Sequence, residues 1–274
     1  MNITFYGVRG TIPYSFPKAI KFGSNTACVH CETKNEHIIL DAGSGIYPLG
    51  KKINDDKPIY IFLSHFHWDH ILGINLFDPF FQEGKSIFIV SPNKRRMQNY
   101  FKTFFDGVRF PVPLSAVASS PTFLSYDQVK LKGIKIETFE NQHPELTYSI
   151  KIKHISTKKS LCYCTDNEIG VLKKNPSAYL KFIKFCENSD LGIFDAQYTD
   201  EEYQSKVGWG HSSISDVLNL SKEASVKHTL LFHHDPLRPD HELSQIVTQI
   251  QEWGKDHFPE AMYDCARERT RFSL

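Results

Sequence analysis

The sequence predicts an α/β (α+β) fold in which two sheets pack face to face with helices outside, a four-layer αββα sandwich. Three observations lead there. Each half of the chain carries short strand-like runs and then helical stretches. The run PIYIFLSH, residues 58–65, is continuously apolar and β-rich, which suits a strand covered on both faces. No repeat, low-complexity stretch or linker divides the 274 residues, so residues 1–274 read as a single domain. Periodicity alone leaves the strand order open.

In chain order, ITFYG (residues 3–7) reads as a strand and is followed by a Gly- and Pro-bearing loop. Strands follow at residues 28–33 and 37–41, joined by a turn at Lys34 and Asn35, then the buried run 58–65 and SIFIV at 86–90. Residues 92–105 look helical. The second half gives strands at 134–140, 148–154, 160–165 and 191–195. A helix over 213–224 has serines to cap its start and leads into the strand HTLLFH, 228–233. A helix over 240–253 and a last strand near 267–272 complete the expectation.

Composition excludes several classes. With 41% hydrophobic and 23% charged residues the chain is of ordinary globular make-up, and a net charge of +1 offers no global field for nucleic acid or an anionic membrane. The basic run Lys94-Arg95-Arg96 reads as a solvated helix face. No apolar stretch approaches the ~18 residues a membrane span needs, and the opening MNITFYGVRG lacks a signal's n- and h-regions, so a cytoplasmic location and no membrane partner are expected. Six cysteines are present. Cys28 and Cys31, three apart on a strand, should point to opposite faces and cannot converge on one ion. Cys162 and Cys164 share a face but sit in a buried strand, so all six read as structural.

The chemistry gathers elsewhere. His65, His67, Asp69 and His70 lie within six positions at the end of the buried strand. Residues two apart at a strand end project to one side, so His65 and His67 can share an ion while Asp69 and His70 turn toward a neighbouring one. Imidazole and carboxylate donors suit zinc, and also manganese, iron or nickel.

SHFHWDH, residues 64–70, resembles the HxHxDH signature of the metallo-β-lactamase superfamily. Further motifs follow in that family's order: His143 in NQHPE, Asp166 in YCTDNE and His233 in LLFHHDP, with Asp41 in ILDAGSG similar to an early aspartate that supports the metal loop. The resemblance implies a dinuclear site for two divalent metal ions. One would be held by His65, His67 and His143, the other by Asp69, His70 and His233, with Asp166 bridging. His234 competes with its neighbour, but strand alternation admits only one of the two, and the alignment favours His233.

Aspartate rather than cysteine at position 166 points away from zinc β-lactamases and toward phosphodiesterases, ribonuclease Z and glyoxalase II-like thioesterases. His67, where flavodiiron proteins usually carry Glu, points away from oxygen reduction. GWGHSS, residues 208–213, is similar to a histidine motif of ribonuclease Z-like phosphodiesterases, which makes His211 a candidate acid or phosphoryl ligand. GVRGTIP suggests Arg9 as a phosphate partner.

The resemblance therefore implies a phosphodiesterase acting on a small nucleotide-type phosphodiester such as a cyclic nucleotide. Asp69 and Asp166 would orient the attacking water and His211 would assist the departing oxygen. A thioesterase or lactonase with the same metals, and a non-catalytic metal-binding regulator, are the alternatives. Residues 94–126 carry Tyr100, Phe101, Phe104, Phe105 and Phe110 but nothing like a long arm rich in Gly, Pro and basic residues, which argues against tRNA as a partner. These aromatics are read mainly as core or as an interface between copies, with an apolar wall for a base as the alternative and a homodimer left open.

Overall fold

Apolar and alternating runs become strands, and the Gly-, Pro- and polar-rich stretches between them become loops. The computed structural model describes residues 1–274. In the first half the strands are β1 (Asn2–Gly7), β2 (Cys28–Glu32), β3 (His37–Leu40), β4 (Ile59–Phe62), β5 (Ile87–Val90) and β6 (Thr122–Leu124). The second half holds β7 (Ile134–Glu140), β8 (Tyr148–His154), β9 (Ser160–Cys164), β10 (Leu191–Asp195), β11 (His228–Phe232), β12 (Met262–Cys265) and β13 (Arg271–Ser273). Helices α1 (Ile46–Gly50), α2 (Trp68–Ile71) and α3 (Lys94–Phe104) belong to the first half. Helices α4 (Ile169–Leu172), α5 (Pro176–Cys186), α6 (Asp200–Tyr203), α7 (Ile214–Glu223) and α8 (Asp240–His257) belong to the second.

One sheet runs β13-β1-β2-β3-β4-β5-β6 and the other β12-β11-β10-β9-β8-β7. Strands β3 to β6 are parallel, as are β9 to β12. The last strand returns to pair antiparallel with β1, Phe272 opposite Ile3. Between the sheets lies an apolar layer that includes Phe5, Leu40 and Phe62 from one and Ile150, Tyr163 and Phe232 from the other. A second layer joins the first sheet to α1 and α3 through Ile61, Leu49, Met97 and Phe101. A third joins the other sheet to α5, α7 and α8 through Phe194, Phe182, Leu220 and Ile246. Each fully buried large side chain contributes about 1.5–3 kcal/mol, so these three layers hold the four-layer αββα arrangement together.

Cys31 joins the inter-sheet layer while Cys28 faces the helices, as strand alternation requires, and all six thiols are buried and free. Ser213 caps α7 by accepting from Asp216 N. Strands β6 and β12 and helices α1, α2, α4, α5 and α6 escape the sequence reading. The first two are short and partly polar, so only their neighbours in the sheet define them. Helix α5 carries a legible start, Asn175 accepting from Ala178 N with Pro176 at the first turn, that the sequence reading overlooked. Helix α8 runs on to His257, and the final strand begins at Arg271 rather than near residue 267. No helix is long and apolar enough to cross a membrane.

Candidate metal centre

Parallel strands deliver their carboxyl ends to one rim, where ligands of open α/β sheets commonly bind. His65 and His67 follow β4, Asp166 follows β9, Asp195 ends β10 and His233 follows β11; His143 comes from the turn after the antiparallel β7. Asp41, Asp166 and His233 take left-handed backbone, with φ of 61°, 50° and 58°. Such conformations cost roughly 1 kcal/mol or more for a residue with a Cβ and persist where the surroundings enforce them. Here they turn Asp166 and His233 into a common cleft and Asp41 onto the outer nitrogen of His70.

His65, His67, His143 and Asp166 form one cluster and Asp69, His70 and His233 a second, the donor atoms within each lying within 4.8 Å of one another. Asp166 faces both. Its Oδ2 lies 3.6 Å from His65 Nε2 and 3.9 Å from His143 Nε2. Its Oδ1 lies 3.1 Å from His70 Nε2 and 3.4 Å from His233 Nε2. His143 Nε2 meets His67 Nδ1 at 3.2 Å, and His70 Nε2 meets His233 Nε2 at 3.2 Å. Asp69 Oδ2 accepts from Thr11 N at 2.7 Å and lies 3.1 Å from His233 Nε2.

The outer nitrogens of these rings are already engaged. His143 Nδ1 donates to the Gly210 carbonyl at 2.9 Å and His70 Nδ1 to Asp41 Oδ2 at 2.7 Å, so each presents Nε2 inward. Asp41 is fully buried and also accepts from Ser64 N, Ser64 Oγ and Tyr163 OH, at 2.7, 2.8 and 2.8 Å. His65 Nε2 is buried without any hydrogen-bond partner. Burial, then the neighbouring His70, holds His65 well below the usual histidine range, in the neutral form that ligates. An orphaned imidazole nitrogen among converging imidazole and carboxylate donors fits divalent cations.

His211 stands beside these clusters and converges with Asp166 and His233 in a third. Its Nδ1 lies 2.8 Å from Asp195 Oδ2 and 4.0 Å from Asp166 Oδ2, and its ring stacks on His233 with centroids 5.0 Å apart. Burial works against its protonation, but Asp195, with Asp166 and Asp69, outweighs burial and pushes the pKa up to about 9. Glu168 anchors the loop that carries it, accepting from Gly208 N at 2.7 Å and Gly210 N at 2.9 Å. Asp195, Glu168 and Gln197, whose Oε1 lies 3.2 Å from His233 Nδ1, escaped the sequence reading. The available signal for Asp195 was an acid ending a buried strand, in the same manner as Asp41 and Asp166.

Two expectations near the site resolve differently. His233 enters the cleft while His234 turns into the core and bonds the Ala266 carbonyl at 3.0 Å. Arg9 is corrected from a phosphate partner to a brace: its guanidinium is buried, with Nε on the Gly23 carbonyl at 2.9 Å and Nη1 on the Asp235 and Arg238 carbonyls at 2.8 and 2.7 Å. Its Nε and Nη1 are spent on backbone carbonyls, while Nη2 is buried without a partner. In the aromatic segment Phe101 and Phe105 are core, whereas Tyr100, Phe104 and Phe110 are only half-buried.

Comparison with known proteins bears on the family and the fold. A family model described as the beta-lactamase superfamily domain matches residues 37–234. Ribonuclease Z of Staphylococcus carnosus is 22% identical over 100% of both chains. Among solved structures, the metallo-beta-lactamase fold protein YhfI of Bacillus subtilis superposes with a TM-score of 0.71, at 18% identity over 99% of each chain. Human tRNase Z, short form, gives a TM-score of 0.67 at 16% identity over 100% of this chain and 99% of its own. The argument against tRNA as a partner is thereby corrected. Its premise, a missing arm in one segment, leaves the rest of the surface untested, whereas a relative named as a ribonuclease spans the whole chain. With the family model covering more than half of its length, from the strand before Asp41 to the histidines after β11, this chain belongs to the beta-lactamase superfamily and has the metallo-β-lactamase fold.

Proposed function

We propose that the protein is a metal-dependent phosphodiester hydrolase acting on nucleotide or RNA substrates. The observation that carries this reading is the carboxylate of Asp166, which turns one oxygen to each of two donor clusters. His65, His67 and His143 would hold one divalent ion, Asp69, His70 and His233 the other, and Asp166 would bridge them. Ions bound there supply positive charge for a phosphoryl group and acidify water near neutral pH.

The remaining work belongs to side chains. Asp69, fixed by the Thr11 amide, and Asp166 orient the attacking water in line with the scissile bond. Asp195 accepts from His211 Nδ1, which leaves Nε2 to hand a proton to the departing oxygen. Asp41 keeps His70 in the tautomer that presents Nε2. A cleft whose donors would hold two cations, with a proton donor beside them, suits a phosphodiester, whose leaving alkoxide needs protonation. The whole-length relation to a ribonuclease adds support.

The test is hydrolysis by zinc- or manganese-loaded protein of bis(p-nitrophenyl) phosphate, 3′,5′-cyclic nucleotides and a tRNA precursor with a 3′ trailer, with Asp166→Ala as control. Cleavage that disappears in the variant establishes phosphodiester hydrolysis, and the preferred substrate names the class. Turnover of thioesters or lactones with no phosphodiester cleaved would overturn the reading.

A further inference from the structure

The cleft over the donor clusters is about 280 Å³ and is lined by Thr11, His67, Trp68, Asp69, Asp166, His211 and His233. Six of these are polar or ionisable and are occupied by the chemistry above; Trp68 alone offers an apolar surface. It is the first residue of α2, between His67 and Asp69, and is 66% exposed. Leaving most of an indole in water forgoes burial worth more than that of most other side chains, so the exposure asks for a partner.

We propose that Trp68 is a stacking platform for the nucleobase of the nucleoside esterified at the scissile phosphate. This rests on the phosphodiester reading and names a substrate class within it. Position is the first argument. A phosphoryl group seated between the clusters has Trp68 beside it, because the residue is flanked in sequence by donors of both. Rigidity is the second. The indole leans on Phe104, centroids 5.2 Å apart; Phe104 stacks on Tyr100 at 4.4 Å; Tyr100 meets Phe66 at 5.8 Å; and the Arg96 guanidinium lies 5.5 Å from the Phe66 ring. A ring buttressed in this way loses little side-chain freedom when a base settles on it.

Trp209 supplies the contrast. It is 59% exposed, two residues before His211, yet it does not line the cleft and Lys206 lies over its ring at 4.7 Å. Exposure alone is therefore not the criterion. Trp68 combines exposure with a place in the cleft and an aromatic backing, and π-faces of this kind hold any base with little sequence preference.

The experiment compares two esters with one leaving group, thymidine 5′-(p-nitrophenyl phosphate) and methyl p-nitrophenyl phosphate, in metal-loaded protein. The expected result is a preference for the nucleoside ester that falls by about tenfold or more in Trp68→Ala, mainly through KM, and is largely restored in Trp68→Phe. Hydrolysis of both esters with no such preference, or with a preference that survives Trp68→Ala, overturns the platform and leaves the phosphodiester reading intact. Hydrolysis of neither defeats that reading, and a binding measurement then decides the platform by itself. In protein carrying Trp209→Phe and Trp253→Phe, Trp68 is the sole tryptophan. Adenosine 5′-monophosphate should quench its fluorescence saturably and inorganic phosphate should not; absence of quenching by the nucleotide overturns the platform.

Discussion

Asp195 Oδ2 accepts a hydrogen bond of 2.8 Å from His211 Nδ1, joining the end of β10 to a loop sixteen residues further on. The pair places a proton donor against Asp166 and His233, with which His211 also converges. His211→Ala should lower kcat about 10²–10⁴-fold while bound metal stays at the wild-type level. Asp195→Asn, which keeps an acceptor but removes the charge, should fall in the same direction by less. Metal analysis of both variants beside their turnover is the check, and loss of metal from His211→Ala would make it a ligand instead.

Asp166 and Asp41 should separate in their effects. Asp166→Ala removes the carboxylate that faces both clusters, so metal content should fall at both positions and activity should vanish. Asp41→Asn touches the outer nitrogen of His70, the Ser64 turn and the Tyr163 hydroxyl, but no inward-facing donor. It should weaken metal affinity about 10–100-fold with activity recoverable at high metal. Competition titration with a chelator measures both.

Gly210 has φ +92°, and a Cβ there would sit 2.2 Å from His143 Nδ1. Gly210→Ala should therefore displace His143 and the loop before His211 together, costing activity by about 10²-fold. Gly84, φ +77°, has open space around it, so Gly84→Ala carries only the backbone strain. The paired variants, assayed for turnover and thermal midpoint, distinguish a site effect from a general loss of stability.

His30 predicts an acid limb in stability. Burial, then the neighbouring His37, lowers its pKa to about 3, and its Nε2 lies 2.9 Å from His37 Nδ1. In the unfolded chain it titrates near 6.5. Below that pH the unfolded state binds a proton that the folded state refuses, so stability falls as the pH drops from about 6.5 toward 3. The slope from this residue is up to about 1.4 kcal/mol per pH unit. Urea unfolding at pH 7, 5.5 and 4.5 should show a shallower decline for His30→Gln than for the wild type; equal slopes would remove His30 as the cause.

The sequence by itself determined the strand-rich halves, most element positions and the donors crowded at residues 65–70. Those signals are local: apolar runs, alternation, and ligand types spaced to share a strand end. Resemblance then pointed to His143, Asp166, His211 and His233 before any geometry was available. Only the tertiary structure decided that one oxygen of Asp166 faces each cluster, that Asp195 holds His211, that Arg9 braces backbone, and that Trp68 stays in the cleft while Phe101 is buried. Each depends on how two twisted sheets bring together side chains up to some two hundred residues apart. No propensity or spacing encodes that, because a side chain's partner across the cleft is set by the packing of whole layers.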